Sequence, residues 1–190
     1  MLYMINRRAL LVVILLSLLG AGCSDAFGES PGEQADAAIV RANEAIADHN
    51  RLFDQARATY EDVKQEIESG NDPSAQQDRI TEARGRMEEA RSRLRDAQES
   101  LSSVDGLEVD PAVKRYANTL SEAMEAQISA ETREIEFYDL LEEDPALEEN
   151  REEAENLLEQ VAEEYEAAER AYAEARELAD ENPEVIEATS

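Results

Sequence analysis

Apolar residues recur in steps of three and four along most of the chain after residue 31, which is the spacing of a helix with one apolar face. The first stripe consists of Ile39, Ala42, Ile46, His49, Phe53, Ala56, Tyr60, Val63 and Ile67. The second consists of Ile80, Ala83, Met87, Ala90, Leu94, Ala97, Leu101 and Val104. Near the C-terminus another consists of Ala154, Leu158, Val161, Tyr165, Ala168, Tyr172, Ala175 and Ala179. A sustained repeat of about 3.5 residues predicts long helices that supercoil left-handedly around partners.

The segment between the second stripe and the last has a straighter pattern with a period of about 3.6 residues. Its apolar positions are Ala117, Leu120, Met124, Ile128, Ile135 and Tyr138. Glu131 lies within this stripe and Gln127 lies at its edge. The predicted third helix therefore carries polar side chains on its apolar face.

Four pairs of a capping side chain and a proline mark predicted helix starts. The pairs are Ser30–Pro31, Asp72–Pro73, Asp110–Pro111 and Asp144–Pro145. Ser and Asp side chains accept hydrogen bonds from the first free N–H groups of a helix, and proline suits the first helical position. Gly70 and Gly106 supply helix stops before the second and third starts.

These boundaries predict helices over about 31–69, 73–104, 111–142 and 146–181. Rods of similar length joined by short loops pack as antiparallel neighbours. The predicted fold class is therefore all-α, an up-down-up-down four-helix bundle or antiparallel coiled coil. The joint at Asp144–Pro145 has no glycine, so the pattern allows either a turn or a kink in one long helix.

His49 is the only histidine of the chain and lies on the first apolar stripe. In an up-down-up-down bundle the first and third helices run parallel, which brings His49 to the level of Gln127 and Glu131. We expect a buried polar layer of His49 with Gln127 or Glu131, joined by Tyr165. Three interpretations stay open: a layer that fixes helix register, a small-ligand or proton-sensing pocket, and simple exposure of His49 to solvent.

Composition adds a strong negative charge to this picture. The chain has 46 acidic and 18 basic residues and a formal net charge of −28. Phosphate binding needs a basic face, so nucleic acid is excluded as a direct partner. The same charge opposes contact with anionic lipid headgroups. Arginine outnumbers lysine, which together with the acidity resembles proteins of halophiles.

Residues 1–22 have the parts of an export signal. Arg7 and Arg8 precede an apolar run from Ala9 to Gly22, which ends in small residues. As a helix this run would measure ~21 Å, whereas a bilayer core is ~30 Å thick. We therefore expect a cleaved signal peptide, exported by either the general or the twin-arginine route.

The residues Gly20, Ala21 and Gly22 before Cys23 resemble the lipobox of prokaryotic membrane lipoproteins. Leucine usually stands three residues before the cysteine, where this chain has Gly20. The resemblance implies that a signal peptidase cuts before Cys23 after its sulfur has received a diacylglyceryl group. Two acyl chains give stable anchoring. The expected location is extracytoplasmic, at the cell membrane or at the outer membrane of a host that has one.

Two alternatives apply to Cys23: a free thiol or intermolecular disulfide, and an uncleaved anchor helix beginning near Leu2. Both also place the remainder of the chain outside the cytoplasmic membrane. The expected organisation after the signal peptide is a linker over 23–30, a helical bundle over 31–181 and a C-terminal tail over 182–190.

The sequence favours a protein without enzymatic activity, cofactor or metal. A ferritin-like di-iron centre needs two Glu-x-x-His motifs, and this chain has one histidine. It also has neither a GxSxG nucleophile motif nor a glycine-rich phosphate loop. The expected function is a scaffold or protein-interaction role in the cell envelope, with lipid at Cys23, another envelope protein or a second copy of the chain as partners. The alternative is a ligand-binding or sensory bundle that works with a separate membrane protein.

Overall fold

The computed structural model describes residues 29–183. It contains four α-helices: α1 (Pro31–Glu68), α2 (Gln77–Ser102), α3 (Pro111–Glu143) and α4 (Arg151–Glu181). The predicted signal peptide, Cys23 and most of the predicted tail lie outside the described residues. None of the four helices combines the length and apolarity that a membrane span requires.

Two of the predicted helix starts are confirmed with their caps. Ser30 Oγ accepts a hydrogen bond from Glu33 N (3.3 Å), and Glu33 Oε2 accepts one from Ser30 N (2.7 Å), which forms a capping box. These hydrogen bonds lower the pKa of Glu33. At the start of α3, Asp110 Oδ1 accepts a hydrogen bond from Ala112 N (2.8 Å). Both helices therefore begin at the expected proline because the preceding side chain satisfies free backbone donors.

The other two predicted starts are wrong by several residues. Asp72 and Pro73 begin a short 3₁₀ turn (Pro73–Gln76), and α2 follows it at Gln77. Asp144–Pro145 is neither a helix start nor a kink, because α3 ends at Glu143 and α4 begins only at Arg151. The predicted start at residue 146 is corrected to 151, and helices three and four are separate.

The loop between α3 and α4 explains the second correction. Asp144 Oδ2 accepts hydrogen bonds from the backbone N–H groups of Glu149 (2.8 Å) and Asn150 (3.3 Å), and these bonds lower the pKa of Asp144. Leu147 has a φ of 50°, and its side chain packs against the core. The predicted capping carboxylate of Asp144 instead closes the seven-residue loop 144–150 between α3 and α4.

The predicted up-down-up-down topology is confirmed, and cross-helix contacts show the direction of each helix. Between α1 and α2 the pairs are Asp62 with Arg79 and Thr59 with Arg86. Between α2 and α3 they are Arg84 with Asp139, Arg91 with Thr132 and Gln98 with Ser121. Between α3 and α4 they are Gln127 with Tyr172 and Glu134 with Tyr165. In each set of pairs the residue number on one helix rises while the residue number on its neighbour falls. Consecutive helices are therefore antiparallel.

The apolar core is divided into two halves along the bundle. One half surrounds Leu94, Leu101 and Met124, close to the start of α1 and the end of α4. The other surrounds Met87, Phe137 and Tyr138, close to the loops at the opposite end. All eight residues of the predicted α2 stripe are buried. Polar side chains of α1 and α3 lie between the two halves.

Candidate functional site

The layer between the two halves of the core is built on His49 of α1 and Glu131 of α3. The distance from His49 Nε2 to Glu131 Oε1 is 2.6 Å. Their side chains are 1% and 0% exposed, so solvent does not screen their interaction. This is a buried hydrogen-bonded pair between two helices that run parallel.

Gln127 and Tyr172 extend this pair toward α4. Gln127 Nε2 donates a hydrogen bond to Glu131 Oε1 (3.0 Å) and also lies 3.2 Å from His49 Nε2. Gln127 Oε1 accepts a hydrogen bond from the Tyr172 hydroxyl (2.7 Å). The amide of Gln127 therefore links the carboxylate of Glu131 to the phenol of Tyr172.

The second ring nitrogen of His49 also faces an oxygen. His49 Nδ1 lies 3.0 Å from Asn50 Oδ1. His49 Nε2 thus lies near an oxygen of Glu131 and the amide nitrogen of Gln127, and its Nδ1 lies near an oxygen of Asn50. Glu131 Oε2, by contrast, has no hydrogen-bond partner among the described residues. The contacts of the Glu131 carboxyl group in this layer are therefore made through Oε1, to His49 and Gln127.

A second polar cluster lies beside the first and is centred on Glu134. Glu134 Oε2 accepts hydrogen bonds from Arg57 Nη2 (3.0 Å) and from the Tyr165 hydroxyl (2.8 Å). The Arg57 guanidinium also lies over the rings of Phe53 (4.7 Å) and Tyr165 (5.2 Å). Burial opposes the charge of Arg57, but Glu134 together with Tyr165 and Tyr138 outweighs burial and raises the pKa of the guanidinium.

The phenols in these clusters are held in their neutral form. Burial raises the pKa of Tyr165, and the nearby carboxylates of Glu134 and Glu131 raise it further. Burial, followed by Glu131, also raises the pKa of Tyr172. Both tyrosines therefore act as hydrogen-bond donors to the layer.

Three of the four residues predicted for the buried layer meet: His49, Gln127 and Glu131 are in mutual contact. Tyr165 does not join them, because its hydroxyl donates to Glu134 instead. Tyr172 takes the expected place of Tyr165, one seven-residue repeat further along α4. Both tyrosines belong to the predicted apolar stripe of the last helix. The predicted face of that helix is therefore right, and the predicted height of the layer along it is wrong by seven residues.

The sequence interpretation missed Arg57 and Glu134. Glu134 follows Glu131 by three residues, so it lies on the same face of α3 one turn later. That spacing was a signal available in the sequence. Arg57 had no such signal, because the groups that contact its guanidinium outside α1, Glu134 and Tyr165, come from two other helices.

The arrangement joins α1 to α3 inside the core. Two buried acidic side chains, Glu131 and Glu134, contact two basic side chains of α1, His49 and Arg57. Within residues 29–183 no group of three or more His, Cys, Asp or Glu side chains has the arrangement of a metal site. A buried polar layer of this kind favours one alignment of α1 against α3.

Comparison with protein-family models, with curated proteins and with solved structures gives no match to this chain.

The other distinctive feature is a seam between α1 and α4. Cα atoms of consecutive helices repeatedly come within 8 Å of each other, whereas those of α1 and α4 seldom do. The contacts that cross this seam are made by large side chains: the rings of Phe53 and Tyr165 lie 6.0 Å apart, and Arg57 lies beside both. The fourth side of the bundle is therefore wider than the other three.

Apolar side chains line both walls of this seam at seven-residue intervals and are half-buried. On α1 they are Ile46, Phe53, Tyr60 and Ile67. On α4 they are Leu158, Tyr165 and Ala179, with Tyr172 more deeply buried in the same row. The alternate positions of the same stripes, such as Ala56, Val63, Val161 and Ala168, are fully buried. Each predicted stripe thus consists of one fully buried row and one row at the edge of the core beside the seam, whose members also contact the core, as Tyr60 does with Phe137 and Tyr138.

Proposed function

We propose that this protein is a lipid-anchored, non-enzymatic interaction protein of the cell envelope, which binds another envelope protein through its helical surface. The observation that carries the proposal is the seam between α1 and α4, where most members of two rows of apolar side chains stay partly exposed while the Cα atoms of the two helices seldom come within 8 Å of each other. Closer packing of α1 against α4, or a partner laid over the seam, would bury these rows further.

The location rests on the N-terminal sequence. Arg7 and Arg8, the apolar run and Gly20–Gly22 before Cys23 support export and attachment of lipid to Cys23. The chain after the cleavage point carries 16 basic and 46 acidic residues, a formal charge of −30. That charge favours a domain that stands off an anionic bilayer, so the lipid would be the only attachment.

The alternative, a sensory bundle with an internal ligand, has less support. Such a ligand would have to fit among His49, Gln127, Glu131 and Tyr165. The first three already contact one another at 2.6 to 3.2 Å, so a ligand would have to displace those contacts. The interior favours a structural layer.

Two measurements test the proposed function. Metabolic labelling with a fatty-acid probe should mark the native chain and not the Cys23→Ser variant; equal labelling of both would contradict the lipid anchor.

A photo-crosslinking amino acid at Ile46, in the seam, should capture one envelope protein reproducibly in intact cells. The matched position is Ser92, which is exposed on α2, and it should not capture that protein. Crosslinks that are the same from both positions, or absent from both, would contradict an interaction role for the seam.

A further inference from the structure

We propose that the seam between α1 and α4 binds an amphipathic helix of another protein, with an apolar stripe in the centre and basic side chains on both flanks. This inference rests on the proposed interaction function and specifies the chemistry of the partner. The shape of the walls, the charge of the rims and the lack of a suitable helix within residues 29–183 support it.

The walls fit a helix. The half-buried row on α1 runs from Ile46 to Ile67 with a strict seven-residue spacing, and α4 repeats that spacing from Leu158 to Ala179. Rows with this period form the holes that receive the side chains of a third helix in a coiled coil. A row of this length spans ~32 Å, which matches a helix of about 21 residues. A partner helix would thus cover both rows along their whole length.

The rims are acidic. By their position in the seven-residue repeat, exposed carboxylates border the apolar rows on both helices: Asp54 and Glu61 on α1, and Glu155, Glu159, Glu166 and Glu169 on α4. Of these six, only Glu166 makes an ion pair within residues 29–183, with Arg170 at 3.9 Å. Three basic residues border the seam: Arg57 at its centre, which is paired with the buried Glu134 at 3.0 Å, and Lys64 and Arg176 toward its two ends. The six carboxylates outnumber these basic residues, and four of the six lie on α4. The rims therefore favour cationic flanks on the partner, above all beside α4.

The described chain has no helix of its own with this chemistry. α4 contains twelve acidic and three basic residues. α2 is the most basic helix, but it has six of each sign, and its arginines face α1 and α3 neighbours such as Asp62 and Asp139. A second copy of the chain would bring acidic rims against acidic rims, which like-charge repulsion opposes. The charge pattern therefore assigns the seam to a different protein.

A designed peptide tests the proposal directly. The probe is a helix of about 21 residues with leucine at heptad positions a and d and lysine at e and g; its control has glutamate in place of lysine. The full chain in mild detergent is titrated against each labelled peptide, and binding is followed by fluorescence anisotropy. We expect the lysine peptide to bind, with an affinity that falls as salt is raised, and the glutamate peptide not to bind.

Matched variants locate the binding surface. Glu159→Lys with Glu166→Lys reverses two rim charges and should weaken binding about tenfold. Glu153→Lys with Glu174→Lys makes the same change on exposed positions of the opposite flank of α4, and should leave binding nearly unchanged. Ala162→Trp fills the seam without a change of charge and should abolish binding. Circular dichroism of each variant checks that the helices remain formed.

Several results would overturn the inference. Equal binding of the lysine and glutamate peptides would show that charge does not determine binding. Equal effects of the rim pair (Glu159→Lys with Glu166→Lys) and the control pair (Glu153→Lys with Glu174→Lys) would show that the peptide does not bind at the seam. Sedimentation that shows a dimer which Ala162→Trp dissociates would assign the seam to a second copy. Any of these results leaves the proposed function standing if the Ile46 crosslink and the Cys23 label persist, so the two proposals fail separately.

Discussion

His49 and Glu131 are both almost fully buried, and they contact each other at 2.6 Å. Taking two polar groups out of water is costly, and their interaction offsets that cost only while both are present. Gln127 adds a hydrogen bond to Glu131 but carries no charge. The energetic role of the pair is therefore clearest when one member is removed.

We expect His49→Leu to lower the free energy of unfolding by about 3 to 5 kcal/mol, because it leaves the buried Glu131 carboxyl group without its 2.6 Å partner. The double variant His49→Leu, Glu131→Leu should recover most of that loss, since two apolar side chains of similar volume replace the pair. Urea denaturation of the single and double variants measures the difference. A double variant that is less stable than either single variant would contradict this account.

At the residue level the sequence was informative wherever a polar residue interrupted an apolar stripe. His49 and Glu131 interrupt two stripes, and a parallel arrangement of those helices was enough to pair them. The predicted tyrosine partner, Tyr165, is one seven-residue repeat away from the observed one, Tyr172. Successive repeats have the same pattern in sequence, and only three-dimensional packing determines which of them lies at the height of His49. Arg57 could not be found this way, because its neighbours Phe53 and Tyr165 come from two helices.

At the scale of elements, backbone conformation distinguishes two glycines that have similar surroundings. Gly85 lies inside α2 and Gly70 follows α1, and a Cβ added at either would meet nothing within 4 Å. Gly70 has a φ of 89°, in the left-handed region, whereas Gly85 is helical. A substitution at these two positions therefore tests backbone conformation without a change in packing.

We expect Gly85→Ala to raise the free energy of unfolding by about 0.5 to 1 kcal/mol, because alanine loses less conformational entropy in a helix. Gly70→Ala should lower it by about 1 kcal/mol, because a Cβ is strained at a positive φ. Thermal unfolding of the two variants beside the unchanged chain measures both effects. Changes of the same sign would show that packing, rather than backbone conformation, governs one of the two positions.

The helix boundaries show which helix starts can be predicted from a few neighbouring residues. Ser30 and Asp110 cap the helices that follow them, so α1 and α3 begin where expected. Asp144 has the same local sequence as a cap, yet it accepts its hydrogen bonds from residues five and six positions later. Leu147 decides the difference, because its side chain packs into the core and draws the loop away from a helical path. That contact depends on the assembled bundle and has no signature in a short window of sequence.

At the scale of the whole molecule, tyrosines report on every part of the core. Burial raises the pKa of all five tyrosines that the structure describes, namely Tyr60, Tyr116, Tyr138, Tyr165 and Tyr172. They lie in both apolar halves and in the polar layer between them. A titration of these phenols therefore follows the intact bundle as one unit.

The sign of the pH effect follows from the direction of these shifts. The ordinary pKa of tyrosine is about 10, and the folded state binds the phenolic proton more tightly than the unfolded state does. The free energy of unfolding should thus be unaffected by these groups below about pH 10 and should decrease above it. We expect tyrosinate absorbance to appear together with loss of helical circular dichroism. Tyrosinate formed near pH 10 with the helices intact would contradict this expectation, and the chain in urea provides the reference titration.

The antiparallel topology also determines how the molecule would carry mechanical load. The start of α1 and the end of α4 lie at the same end of the bundle, and the 38 residues of α1 extend ~57 Å from it. A chain tethered through Cys23 would receive tension at the start of α1, while a partner helix in the seam would pull along α1 and α4. Force that enters through α4 would reach the tether only across the contacts of α4 with α3 and of α3 with α1, including Tyr165 with Glu134 and His49 with Glu131. These contacts would be loaded together in shear, and the bundle would pass tension from its partner to the membrane.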